Sequence, residues 1–113
     1  PEFNGRVVDY REAARVSSAR SPQGYPLFRG AMLNWDNTAR RGVNGTVVHH
    51  GTPLEYRKWL IALVDEAVRR PVAERLIFIN AWNEWAEGTH LEPDLEFGRG
   101  YLEATRDAMA INC

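Results

Sequence analysis

The sequence predicts a parallel α/β fold, and three observations carry that prediction. Short apolar runs alternate with amphipathic helical stretches, and a polar, aromatic loop follows two of the runs. The most apolar run, Leu76-Ile77-Phe78-Ile79, shows no alternation with polar residues. Its length and its β-branched and aromatic content favour strand over helix, and a strand apolar on both faces belongs in a parallel sheet covered on both sides. The order is then strand, polar loop, helix, strand, polar loop, helix, which makes two β/α units. In such a sheet both polar loops emerge at the same carboxyl edge. Two units cannot close a parallel sheet, so further strands are expected from a longer chain or from other copies of this one.

Taken in order, Val7-Val8 can end a strand and Asp9 can cap a helical turn through residues 10–16. Residues 17–26 (SSARSPQGYP) are loop by composition. A modest apolar stretch, Ala31-Met32-Leu33, runs into the cluster Trp35-Asp36-Asn37-Thr38-Ala39-Arg40-Arg41. Asn44-Gly45 is a turn dipeptide, and its weak match to a glycosylation acceptor with Thr46 yields to that turn. Residues 46–49 read as a brief extended piece. Thr52, Pro53 and Glu55 then give an N-cap, a first helical position and a capping box. Tyr56, Leu60, Leu63, Val64, Ala67 and Val68 form one apolar stripe, Arg69-Arg70 suit the negative end of the helix, and Pro71 stops it. A second helix is expected over residues 99–110, with Tyr101, Leu102, Thr105, Ala108 and Met109 on one face.

Composition excludes several classes. With 113 residues the chain is at most one domain, and a net charge of −1 offers no basic surface for nucleic acid. The single cysteine, Cys113, excludes an internal disulfide framework and a CxxC metal site. No apolar run reaches the roughly 20 residues of a membrane span, and no signal peptide is visible, which favours the cytoplasm. The chain begins at Pro1 without methionine, as expected of a piece of a longer protein, and its unpaired sheet edges predict self-association.

The chemistry concentrates where the apolar run ends. Asn80, Trp82, Asn83, Glu84, Trp85 and Glu87 arrive within eight positions, closing at Gly88. Glu84 and Glu87 are three apart, which on a helical turn or tight loop sets both carboxylates on one side. Two carboxyls sharing a pocket can hold different protonation states, as glycoside chemistry requires: one protonates the leaving oxygen while the other acts as base or nucleophile. Trp82 and Trp85 offer flat faces for the C–H face of a sugar ring, and Asn80 and Asn83 offer amides for hydroxyls. An isolated ExxE pair is usually a solvated helix face; here the compactness of the cluster after a strand weighs against that. At the other cluster, Asp36, Asn37 and Arg40 can bind hydroxyls, or Asp36 and Arg40 can pair as a clamp.

Residues 80–94, NAWNEWAEGTHLEPD, resemble the signature of WbsX-type proteins, which are described as glycosyltransferases of lipopolysaccharide or O-antigen synthesis and share a glycoside hydrolase family 99-like domain. The cluster from Trp35 to Arg41, and Thr52-Pro53 before a helix containing Trp59-Leu60, match that family's order. The resemblance covers roughly residues 27–105 and implies the C-terminal β/α units of a (β/α)8 TIM-type barrel, present as an incomplete barrel fragment, preceded by residues 1–26 as an N-terminal segment and loop. Family 99 enzymes are retaining endo-acting α-mannosidases and α-mannanases with a similar Asn-Glu-Trp-x-Glu-Gly-Thr run. By that match Glu84 is the base that helps the sugar 2-hydroxyl attack its own anomeric carbon, and Glu87 is the general acid. Ala86 and His90 replace the His and Gln more usual in the mannosidases, so the acids carry over better than the substrate does.

The resemblance therefore implies an oligosaccharide or polysaccharide substrate, catalytic Glu84 and Glu87, and no cofactor. Substrate contacts are expected from Trp35, Asp36, Asn37, Arg40, Asn80, Trp82, Asn83, Trp85, His90 and Glu92, the last on a solvated rim with Asp94 and Glu96. Glycosyl transfer and a non-catalytic carbohydrate-binding or structural role are the alternatives. No metal site is expected: neighbouring His49 and His50 on an extended segment point to opposite faces, and no HExxH or calcium-loop pattern accompanies them.

Overall fold

The computed structural model describes residues 1–111; Cys113, the lone thiol of the sequence argument, lies outside them. β1 (Arg6–Asp9) leads straight into α1 (Tyr10–Ser18), and Asp9 makes the junction. Its Oδ1 accepts hydrogen bonds from the amides of Arg11 at 2.9 Å and Glu12 at 3.3 Å, satisfying donors that the first helical turn leaves open. After a loop come β2 (Arg29–Met32), β3 (Trp35–Asp36), α2 (Thr38–Arg41) and a 3₁₀ turn, Gly42–Asn44. β4 (Thr46–His49) precedes α3 (Pro53–Ala67), the longest element. Thr52 Oγ1 caps α3 by accepting from the Glu55 amide at 3.2 Å. The reciprocal half of the capping box does not form, because Glu55 instead pairs with Lys58 at 2.9 Å and Arg11 at 3.3 Å. A 3₁₀ turn, Val72–Glu74, leads to β5 (Ile77–Asn80). The chain closes with β6 (Asn83–Glu84), the 3₁₀ turn Trp85–Glu87, β7 (Thr89–His90) and α4 (Gly100–Ala110).

The expected parallel pairing is present, but it is divided and partly mixed. β1 runs parallel to β4, with Arg6 opposite Thr46 and Asp9 opposite His49. β2 runs parallel to β5, with Arg29 opposite Ile77 and Met32 opposite Asn80. β3 then pairs antiparallel with β4, and β6 with β7. The fold is thus α/β with mixed sheets, and no closed barrel forms among the described residues.

α3 is the centre of the core. Tyr56, Leu60 and Leu63 are buried on it, and burial of each leucine contributes about 1.5–3 kcal/mol. Trp59 is buried as well, although it falls outside the stripe read from the sequence. Tyr10 packs edge-on to Trp59 with centroids 5.7 Å apart and donates its hydroxyl to the Met32 carbonyl at 2.6 Å. α4 packs alongside through Tyr101, Ala104 and Ala108; Met109, expected on the same face, is exposed. Arg29, Glu66 and Arg70 lock the loop before β2 onto α3. Glu66 lies 3.1 Å from Arg29 and 2.5 Å from Arg70, while Arg29 also donates to the Ser17 and Arg20 carbonyls and Arg70 to that of Leu27.

One expectation about β5 does not hold. It is not covered on both faces: Ile77 and Ile79 face the core, but Phe78 between them is 63% exposed. β1 behaves likewise, with Val8 packed inward and Val7 61% exposed. The helices lie against one face of the strands and leave the other open. The outline agrees, a slab of 50 × 36 × 19 Å with a radius of gyration of 15.1 Å, against about 13 Å for a closed domain of this length. No helix among the described residues is long and apolar enough to cross a membrane.

Candidate active site

The cluster after β5 folds into a tight hairpin. From Asn80 the chain crosses a cis peptide bond to Ala81, enters β6, turns over Trp85–Glu87 and returns along β7. Asn83 stands opposite His90 and Glu84 opposite Thr89. Gly88 makes the turn possible, since its φ of 65° and ψ of 22° are left-handed, where a side chain is strained. The fully buried Thr89 secures the hairpin by donating its hydroxyl to the Asn80 carbonyl at 2.6 Å. The Leu91 amide reaches back to the Ala81 and Trp82 carbonyls, both at 2.9 Å.

This geometry places the two acids in unlike surroundings. Glu84 is exposed at the end of β6, and its carboxylate meets no partner among the described residues. Glu87 is 5% exposed. Its Oε1 lies 2.5 Å from Arg40 Nη2, while Oε2 is buried without a hydrogen-bond partner. Glu84 closes a strand and Glu87 lies in the 3₁₀ turn that follows it, so adjacent elements present the two acids.

Arg40 therefore does not form the clamp expected of it with Asp36. α2 carries it to the hairpin tip, where it pairs with Glu87. The Asp36 carboxylate is occupied by Thr38, accepting from its hydroxyl at 2.6 Å and its amide at 2.9 Å, and these bonds hold its carboxyl below the usual range. Asn37 Oδ1 accepts from the Thr46 amide at 2.6 Å and so fastens the loop to β4. Asp36 and Asn37 thus build the platform that positions Arg40, and Trp35 is half-buried against the core.

The aromatic residues of the hairpin are better placed for a ligand. Trp82 is 55% exposed and Trp85 50%, and Trp85 stacks on His90 with ring centroids 3.6 Å apart and planes 12° apart. His90 Nδ1 donates to the Glu92 carbonyl at 3.1 Å, which fixes the ring beneath the indole. Asn80 and Asn83 are exposed beside them, and Glu92 is half-buried. A crevice of about 50 Å³ lies between Asn34, Gly88, His90 and Asp94. It is too small for a sugar, since ligand sites usually measure about 300–1,000 Å³. The hairpin presents Glu84 and the indoles on an open surface, while Glu87 stays buried.

A second cluster escaped the sequence reading. His49 and His50 do not point apart, because His50 leaves β4 with φ of 64° and its ring folds back over His49, centroids 4.1 Å apart. His50 Nδ1 reaches Asp9 Oδ2 at 2.9 Å, and this hydrogen bond holds the Asp9 carboxyl below its usual range. The available signal was the glycine that follows. A Cβ on Gly51 would lie 3.1 Å from Asn34 Oδ1 and 3.2 Å from the Leu33 carbonyl, so the chain passes tightly against the end of β2.

Fold and site together define an α/β protein whose strand-end loop joins two glutamates to exposed indoles. The chain belongs to the glycosyltransferase WbsX family, whose sequence profile matches residues 1–105. It is similar to two proteins of Xanthomonas campestris pv. campestris, from strains ATCC 33913 and B100, each called uncharacterized protein WxcX. Identity to each is 46% over 110 residues, covering 96% of this chain but 16% of the relative. No solved structure matches.

Proposed function

We propose that this chain is the acid-bearing C-terminal portion of a (β/α)8-type, family 99-like domain that acts on glycosidic bonds of a polysaccharide. Residues 27–113 would supply the final β/α units. The observation that carries the proposal is Glu87, a buried carboxylate held through one oxygen by Arg40 while the other oxygen stays free. That oxygen is buried in this chain and is the one we assign to give and take a proton when substrate reaches it in the full domain. The open strand face bearing Val7 and Phe78 is what the interior of a barrel would present before its remaining strands are added.

In this mechanism Glu87 Oε2 donates a proton to the departing glycosidic oxygen. Glu84 removes the proton from the sugar 2-hydroxyl as that oxygen closes on the anomeric carbon, giving an anhydro sugar. Water then opens the ring at the anomeric carbon; Glu87 takes the water's proton, and Glu84 returns its own to the 2-oxygen. Trp82 and Trp85 stack the neighbouring sugars, and Asn80 and Asn83 bind hydroxyls.

The family's name favours a second outcome, transfer, in which a sugar hydroxyl replaces water in the last step. Glu84→Gln and Glu87→Gln in the full-length protein test both, with O-antigen-type polysaccharide and α-linked oligosaccharides as substrates and products read by mass spectrometry. Loss of turnover in both variants is expected. Unchanged turnover in either removes the assignment, and lengthened rather than shortened products identify transfer.

A further inference from the structure

The residues ending β1 and β4 form a cluster with chemistry of its own. Asp9 and His49 stand opposite each other at the carboxyl ends of neighbouring parallel strands. His50 then turns back through a left-handed backbone, a conformation in which histidine is enriched among non-glycine residues but still uncommon. The turn sets two imidazoles side by side, with His49 Nδ1 3.4 Å from His50 Nε2. Because the Asp9 carboxylate accepts, the proton of neutral His50 sits on Nδ1, and Nε2 is left with its lone pair facing His49.

We propose that His49 Nδ1 and His50 Nε2 bind a divalent transition cation of the zinc class, with Asp9 as the carboxylate that orients His50. Metal–nitrogen bonds of about 2.0–2.1 Å at a tetrahedral angle place two ligand nitrogens about 3.3–3.4 Å apart. The two imidazoles already stand at that spacing. A carboxylate on the far nitrogen of a ligating histidine fixes its tautomer and ring orientation and raises its basicity. Asp9 is itself held by the two amides it caps, so the whole arrangement rests on α1.

Imidazole donors select zinc, nickel or copper over magnesium and calcium. His49 is half-buried and His50 exposed, so the other coordination positions face outward, open to water or to an outside donor. Without a metal, His49 Nδ1–H bridges the gap to His50 Nε2. On binding, His49 carries its proton on its own Nε2 instead, the exchange running through solvent.

Zinc chloride titrated into the intact protein by calorimetry, with cobalt absorption in parallel, tests the site. His50→Asn keeps a residue that tolerates the left-handed backbone, His49→Gln removes the other nitrogen, and Asp9→Asn preserves the helix cap. The expected result is one zinc event abolished by either histidine substitution, weakened roughly 10–100-fold by Asp9→Asn and retained by His90→Gln. Zinc binding that is absent from the unmodified protein, or unchanged in His49→Gln and His50→Asn, overturns the proposal. A readout needing no variant is cobalt broadening of histidine ring resonances. His49 and His50 should broaden together; broadening of neither, or of His90 alone, counts against the site.

Discussion

Arg40 Nη2 lies 2.5 Å from Glu87 Oε1, joining α2 to the hairpin tip across a wide stretch of sequence. The pair is asymmetric: the arginine side chain is 70% exposed, the glutamate 7%. Arg40→Ala leaves a buried carboxylate without the one partner it has among the described residues, which costs about 1–3 kcal/mol. Urea denaturation should show that loss and a smaller one for Glu87→Gln, whose amide carries no charge to strand. If Arg40 positions Glu87, turnover in the full-length protein should fall about 100-fold in Arg40→Ala. A drop in stability with turnover intact would leave the ion pair a purely structural tie.

Glu66 gives a pH prediction. Burial acts to raise its carboxyl, but hydrogen bonds from Arg29 and then Arg70 outweigh that, and its pKa is lowered. A depressed folded-state pKa means the contribution is complete above the ordinary glutamate range, near about 4.3, and is lost as pH falls through the lower folded value. Denaturation midpoints should therefore drop on acidification below that range, and the drop should be smaller in Glu66→Gln. An equal decline in both proteins would mean that other carboxylates govern the acid limb.

Trp85 and His90 form a stacked platform, and such aromatic pairs contribute about 0.5–1.5 kcal/mol beyond burial. Trp85→Phe should keep the stack and most oligosaccharide affinity. Trp85→Ala should lose both, with saccharide binding followed by quenching of the remaining indoles. Equal affinity in all three proteins would place the sugar elsewhere.

Among the described residues, β2 and β5 each keep an unpaired edge beside an open apolar face that carries Phe78. Exposed edges pair with further strands, so light scattering should show the 113-residue chain associating with its own copies. A monomer at moderate concentration would mean that these edges are tolerated in water.

Local chemistry was legible; meetings between distant segments were not. Asp9 before Tyr10, and Thr52-Pro53 before Leu54, announce helix starts because a cap acts within three residues. The strand was equally plain in composition, expected over Leu76–Ile79 and found one residue later, over Ile77–Asn80. Its exposure was not, because partners elsewhere decide whether Phe78 is covered. β3 is two residues long and too short to show any period, so its antiparallel pairing left no trace. The contact between Arg40 and Glu87 depends on how α2 and the hairpin are brought together, and the His49–His50 contact on one backbone dihedral.

The two parallel pairings interleave along the chain. β1 waits for β4 while β2, lying between them in sequence, waits for β5, so neither pair can be completed without enclosing one strand of the other. Such crossing brings the entropy of closing long loops before any contact repays it. Cutting the chain anywhere between Asp9 and Ile77 would separate at least one strand from its neighbour. The hairpin that carries Glu84 and Glu87 is therefore anchored by a unit that folds as one piece, and a ribosome must release nearly all of it before the site can exist.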